Sequence, residues 1–148
     1  MPKPKWRQGT YTPKNSDKYV GNKLPLLKSG WEFTFAQFCD NNPHVKSWSY
    51  EPVKIPYTHP FKKHPNGKPK GSIYIPDFLV EYVDKNGKSH VELVEIKPAS
   101  QVAETAKSSK ADKLHVILNH AKWKAATTWC RHKQIKFRIL TREEIYSK

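Results

Sequence analysis

Asp77 and Glu95 are two of only thirteen acids in a chain of 148 residues. Each sits inside an otherwise apolar, β-rich run: Ile73-Tyr74-Ile75-Pro76-Asp77-Phe78-Leu79-Val80 and Val91-Glu92-Leu93-Val94-Glu95-Ile96-Lys97-Pro98. A buried charge is costly unless it is paired or bound to a metal, so both carboxylates need a partner. Lys97 follows Glu95 by two residues and projects from the same strand face. Two carboxylates and one ammonium on one sheet face make a hard-cation site beside a group that orients water. Mg²⁺ takes oxygen ligands and keeps several waters, so one or two carboxylates suffice, with a phosphate completing the shell. Such an ion acidifies water and polarises a phosphoryl oxygen. Lys97 is then placed to orient the attacking water or to offset charge in the transition state.

Whether the two acids meet depends on a hairpin. The runs 73–83 and 90–96 are joined by Asp84-Lys85-Asn86-Gly87-Lys88, a turn signal between β-rich segments. A two-residue Asn86-Gly87 turn sets Glu81 against Glu92 and puts Asp77 and Glu95 on opposite faces. A three-residue loop with Gly87 left-handed pairs Asp84 with Lys88, Leu79 with Leu93 and Phe78 with Val94. That register removes the Glu81–Glu92 clash and brings Asp77 opposite Glu95.

The remaining elements follow from periodicity. Ser29-Gly30-Trp31-Glu32 is an S-x-x-E capping box, and Trp31, Phe35, Phe38 and Cys39 form a helical stripe that ends at Asn41-Asn42-Pro43. Residues 45–55 read as extended, with Pro52 and Pro56 marking an edge or broken strand. Residues 58–71 read as a Pro- and Gly-rich loop bearing Lys62, Lys63, Lys68 and Lys70 and no acid. Residues 99–110 read as a polar connection, partly helical. A helix over 112–133 has Leu114, Ile117, Leu118, Ala121, Ala125 and Trp129 as its apolar stripe, with Lys122, Lys124 and Arg131 off it. Residues 134–141 form a last strand, and Thr141-Arg142-Glu143-Glu144 opens a terminal turn. The order α–β–β–β–α–β implies an α/β (α+β mixed) fold, a central mixed sheet flanked by helices. Residues 29–148 form the single domain, preceded by a basic extended arm over 1–28 with seven cations against Asp17.

The formal charge of +14 points to a polyanionic partner, nucleic acid first. No apolar run approaches the ~20 residues of a membrane span, and the N-terminus lacks the apolar core of a signal peptide. Cys39 and Cys130 lack metal spacing and read as two core thiols made in a reducing compartment. His90, His115 and His120 lack metal spacing too. Glu92 reads as solvated or ion-paired, Glu81 as structural, and Tyr74 and Trp48 as core. Lys122 and Lys124 read as phosphate contacts or as a solvated helix face.

Pro76-Asp77, an intervening hairpin, then Glu95-Ile96-Lys97 resembles the PD-(D/E)xK nuclease signature, in the element order of that superfamily. Further stretches resemble the head-completion nucleases of T-even-type tailed phages. They are Tyr11-Thr12-Pro13-Lys14-Asn15 with Lys18-Tyr19, Ser29 to Glu32, Ile55-Pro56-Tyr57, Glu95 to Pro98, Lys122 to Ala126, and Ile135 to Thr141. A related signature occurs in the transposon end-cleaving endonuclease subunit. The resemblance implies a restriction-endonuclease-like core and a DNA nuclease made during virion assembly. It implies action on double-stranded DNA in the host cytoplasm before tail joining, with phage head or neck proteins as further partners. It implies Mg²⁺ or Mn²⁺ held by Asp77, Glu95, the Ile96 carbonyl and Glu32, with Lys97 activating water. Glu32 thus carries two readings, helix cap and metal site. Lys62, Lys63, Lys68, Lys70, Lys122 and Lys124 are the expected DNA contacts. The alternatives are a catalytically idle DNA-end binder of the virion neck on the same scaffold and, with less support, a basic RNA-binding module.

Overall fold

A computed structural model describes residues 8–146. Four strands make the central sheet in the order β3 (Val45–Tyr50), β6 (Phe78–Val83), β7 (Ser89–Lys97), β8 (Lys136–Thr141). The β3–β6 and β6–β7 pairs are antiparallel and β7–β8 is parallel, so the sheet is mixed. A parallel neighbour needs a long crossover, here a short 3₁₀ turn at Ala99–Gln101 and the 24-residue helix α2 (Lys110–Lys133). Helix α1 (Gly30–Asn41) lies on the other face, and α3 (Arg142–Tyr146) closes the described chain.

The strands alternate between two cores. Phe78, Val80, Val94, Ile96 and Leu140 pack with Ala36 and Cys39 of α1 and with Leu27 and Trp48. Leu93, with Leu79, Phe137 and Ile139 partly buried, packs with Trp123, Ala126 and Cys130 of α2. Cys39 and Cys130 are both buried free thiols, as expected from their spacing.

The β6–β7 register is the one set by the three-residue loop. Phe78 pairs with Val94, Leu79 with Leu93, and Val80, not Glu81, with Glu92. Asp84 donates its N–H to the Lys88 carbonyl at 2.9 Å, and Gly87 takes φ +77°, a left-handed conformation that suits a residue without Cβ.

Four expectations change. The strand expected over 45–55 stops at Tyr50, where Glu51 adopts φ +48° and its N–H bonds the Asp77 carbonyl at 2.7 Å. The expected loop over 58–71 is a hairpin of its own, β4 (Ile55–Lys63) with β5 (Pro69–Tyr74), forming a separate two-stranded sheet. The expected strand over 73–83 is therefore split at Ile75-Pro76-Asp77, because the chain leaves β5 to enter the main sheet. The buried stripe of α2 also differs. Its fully buried line is Val116, Asn119, Trp123, Ala126 and Cys130; Leu118, Ala121, Ala125 and Trp129 of the expected stripe pack partly buried against the same core, while Leu114 and Ile117 face water. Asn119 is accommodated there because its amide donates to the Gln101 carbonyl at 3.0 Å.

The N-terminal segment from residue 8 is extended and laid on the domain. β1 (Gly9–Thr10) pairs with β2 (Leu26–Leu27), and Tyr11 and Leu27 are core residues. Asp40, fully buried at the end of α1, is the anchor. Its carboxylate accepts from the Tyr11 hydroxyl at 2.7 Å, the Lys14 N–H at 2.7 Å and the Asn15 N–H at 2.9 Å. The cationic residues Lys3, Lys5 and Arg7 of the arm lie outside the described residues.

Candidate active site

β6 begins and β7 ends at the same edge of the sheet, and Pro76-Asp77 and Glu95-Ile96-Lys97 meet there. The Asp77 N–H donates to Glu95 Oε2 at 3.2 Å, and the Ile96 N–H donates to Asp77 Oδ2 at 2.8 Å. Each carboxylate therefore grips the opposite strand. Lys97 Nζ stands 3.8 Å from Glu95 Oε1. The three groups expected to meet through the hairpin do so.

Glu32 reaches the same place from the first turn of α1. A cleft of about 460 Å³ is lined by Lys28, Glu32, Asp77, Ile96, Lys97 and Arg142, among others. Glu32 is buried, and its Oε1 accepts from the Tyr50 hydroxyl at 2.7 Å and the Lys28 N–H at 3.0 Å. Ser29 Oγ accepts the Glu32 N–H at 3.2 Å, so half of the capping box forms. The return bond goes to Lys28 rather than to the cap residue, which turns the carboxylate toward the cleft.

The electrostatics are those of crowded acids. Burial pushes the Asp77 carboxyl well above the usual carboxylate range, and the charges of Glu95 and Glu32 push it further. Burial also raises Glu95, opposed by the Lys97 ammonium and by Tyr74. Close like charges stabilise a protonated form. A cation placed between them removes that penalty.

Sequence reasoning did not place Tyr74 and Lys122 here. Tyr74 is core, as expected, but its buried hydroxyl abuts Glu95 and the Trp123 indole without a well-formed hydrogen bond to either. Lys122 Nζ lies 5.9 Å from the centre of the Tyr74 ring. Burial and the neighbouring Lys97 charge lower the Lys122 ammonium, while Glu95 raises it. The signal was its position off the expected stripe, which the true face of α2 converts into a position beside the sheet edge. Lys124 instead lines a groove with Tyr57 and Thr128. Lys62, Lys63, Lys68 and Lys70 are exposed on the β4–β5 hairpin.

Glu92, Glu81 and Asp84 are paired elsewhere. Glu92 is buried, 3.8 Å from both Lys136 Nζ and Arg138 Nη1. Glu81 accepts from Ser47 at 3.3 Å. His90 pairs with Asp84 at 2.7 Å and His120 with the Val102 carbonyl at 2.8 Å.

An all-oxygen donor set of this size fits Mg²⁺ or Mn²⁺. Among the described residues no group of three His, Cys, Asp or Glu side chains is placed to hold a metal, so the direct side-chain contribution to an ion would be a carboxylate pair. That is enough for an ion that keeps most of its waters and shares a substrate phosphate. The orphaned Tyr74 hydroxyl and the raised Asp77 and Glu95 carboxyls are the features that such an ion and its water would satisfy.

Two comparisons bear on this geometry. A profile described as "TnsA-like endonuclease N terminal" matches residues 42–142, from the end of α1 into α3. A relative from Enterobacteria phage T4, named "Head completion nuclease", is 32% identical over 146 aligned residues, covering 91% of each chain. The matched span contains Asp77, Glu95 and Lys97, and the longer alignment reaches well beyond it. The chain belongs to the TnsA-like endonuclease family, whose restriction-endonuclease-like fold agrees with the mixed sheet and its flanking helices.

Proposed function

We propose that the protein is a divalent-metal-dependent deoxyribonuclease acting in the completion of phage heads before tail joining. The observation that carries this reading is the mutual clasp of Asp77 and Glu95 at the sheet edge with Lys97 at 3.8 Å. Its setting, head completion, is taken from the name of the T4 relative.

Asp77 and Glu95 would hold the ion, joined by the Ile96 carbonyl. Glu32, with Oε1 already engaged, would act through a water. When bound, a divalent ion stabilises charge on the phosphoryl oxygens and acidifies water. Lys97 orients the attacking water by hydrogen bonding and opposes the negative charge that develops on the phosphate. Tyr50 and the Lys28 N–H fix Glu32, and Tyr74 lies against Glu95. Phosphate contacts carry little base information, so cleavage is weakly sequence-dependent.

Linear DNA incubated with Mg²⁺ or Mn²⁺ tests the reading. The expected result is hydrolysis that EDTA stops and that Asp77→Ala and Lys97→Ala abolish. Wild-type activity in both variants overturns it. Salt-dependent DNA binding with no cleavage under either metal replaces it with an idle DNA-end binder of the virion neck.

A further inference from the structure

From Pro52 to Pro76 the chain carries Lys54, Lys62, Lys63, Lys68 and Lys70 and no acid. The structure folds this stretch into the β4–β5 hairpin, whose base is anchored and whose outer half is free. Ile55, Tyr57 and Tyr74 are buried against α2. From residue 60 to residue 71 every side chain is exposed.

The outer half has a defined shape. His64 donates its N–H to the Lys68 carbonyl at 2.9 Å, Gly67 takes φ +83°, and Asn66 Oδ1 accepts the Lys68 N–H at 3.0 Å. Below the turn the ladder skips from Thr58↔Gly71 to Lys63↔Pro69, so the bulge His59-Pro60-Phe61-Lys62 faces Lys70 alone. His59 Nδ1 accepts the N–H groups of Phe61 and Lys62, both at 3.1 Å, which pins the bulge with Phe61 turned out, 47% exposed. Among the described residues Lys62, Lys63, Lys68 and Lys70 join no ion pair. Positive charge continues from the hairpin toward Glu95: Lys122 Nζ lies 5.9 Å from the centre of the Tyr74 ring, at the base of β5, near enough for its charge to act on His59 and for that of Lys97 to act on it.

We infer that the β4–β5 hairpin is a ribbon that enters a groove of duplex DNA and presents the scissile strand to the Asp77–Glu95 edge. The inference rests on the nuclease reading and adds which element grips the duplex and how it enters it. A two-stranded ribbon is the width that the major groove, about 12 Å across, admits. From Gly71 to Pro69 it advances about 7 Å before the turn, because the bulge adds residues without adding length. Paired strands carry lysines to phosphates on both walls of a groove, and a single strand offers no such walls.

Binding is read by fluorescence anisotropy in EDTA, so that cleavage plays no part, with duplex and single-stranded DNA of one length. Hydrolysis with Mg²⁺ is measured separately. The double variant Lys62→Ala/Lys63→Ala is set against Lys85→Ala/Lys88→Ala, an equal loss of charge in the hairpin turn at the far end of β6 and β7. Losing two phosphate contacts lowers the slope of log K against log salt by about 1.8 and duplex affinity about 10- to 30-fold near 0.15 M salt. The far-turn variant keeps the wild-type slope, and single-strand affinity falls less than duplex affinity. Equal loss in the two variants, or equal loss for duplex and single strand, overturns the inference. Absence of hydrolysis by the wild type with any divalent ion overturns the nuclease reading alone and leaves the binding result standing. Unchanged thermal unfolding of the exposed-lysine variants separates lost contacts from lost fold.

Discussion

Asp77 and Glu95 hold each other's strands: the Asp77 N–H binds Glu95 Oε2, and Asp77 Oδ2 binds the N–H of Ile96. This exchange fixes both carboxylates without neutralising either. The fold therefore carries an electrostatic load at the sheet edge that a ligand relieves, a usual signature of functional sites.

Asp77→Asn therefore separates stability from activity. The amide still accepts the Ile96 N–H but carries no charge. Since the folded-state carboxyl lies above its unfolded value of 3.8, its contribution to stability is full below pH 3.8 and is lost as pH rises through the folded value. At pH 7–8 the variant is expected to be more stable than wild type by about 1–2 kcal/mol, with the gain vanishing toward pH 4. Hydrolysis falls by at least about 100-fold. Urea unfolding across pH, alongside activity, checks both; a destabilised variant at neutral pH contradicts the account.

Lys97→Ala is expected to lower kcat by about 10²- to 10⁴-fold with DNA affinity nearly unchanged. The expectation rests on its place 3.8 Å from Glu95, which under the proposed reading puts it at the chemical step rather than in the grip on DNA. Single-turnover rates with anisotropy measurements decide this; a loss confined to affinity removes Lys97 from catalysis.

Glu32→Gln should retain the fold, because an amide oxygen accepts from Tyr50 and Lys28 as the carboxylate does. Activity should fall about 10- to 100-fold, the usual effect of a group that supports a metal ligand. Loss as deep as that of Asp77→Asn makes Glu32 a direct ligand instead. Tyr50→Phe, read beside it, is expected to show a smaller loss of the same kind.

Asp40→Ala tests how the segment from residue 8 is held. Burial raises this carboxyl, but the donors Tyr11, Lys14 and Asn15 outweigh it and the group lies below the usual carboxylate range. Its stabilisation is present above pH 3.8 and is lost as pH falls through the folded value. Truncation strands the Tyr11 hydroxyl and two N–H groups, costing about 3 kcal/mol. Proteolysis should then release fragments cut between residues 8 and 28; an unchanged digestion pattern contradicts the anchoring role.

The strands that carry Asp77 and Glu95 were legible because their register has a chemical reason. One choice of loop length clashes Glu81 with Glu92, and the other does not. The β4–β5 hairpin was hidden although its turn, His64-Pro65-Asn66-Gly67-Lys68, has the same spacing as Asp84-Lys85-Asn86-Gly87-Lys88. Both form the same 2.9 Å N–H to carbonyl closure and left-handed glycine. Pro60, Pro65 and Pro69 mask the strand pattern, and the four-residue bulge breaks the alternation that a strand should show. The face of α2 was legible only in part, its centre lying to one side of the expected stripe, for a different reason. Asn119 looks polar enough to exclude its stripe, and its bond to Gln101 exists only in the tertiary structure. Tyr74 and Lys122 could not be joined to the site until that face was known.

The most direct test of the central claim is a crystal soaked in Mn²⁺ and measured for anomalous scattering. A peak is expected where β6 begins and β7 ends, within about 2.2 Å of oxygens from both Asp77 and Glu95, with Lys97 Nζ outside the ion's shell. A map without that peak, in which Lys97 sits between the two carboxylates as a salt bridge, contradicts it.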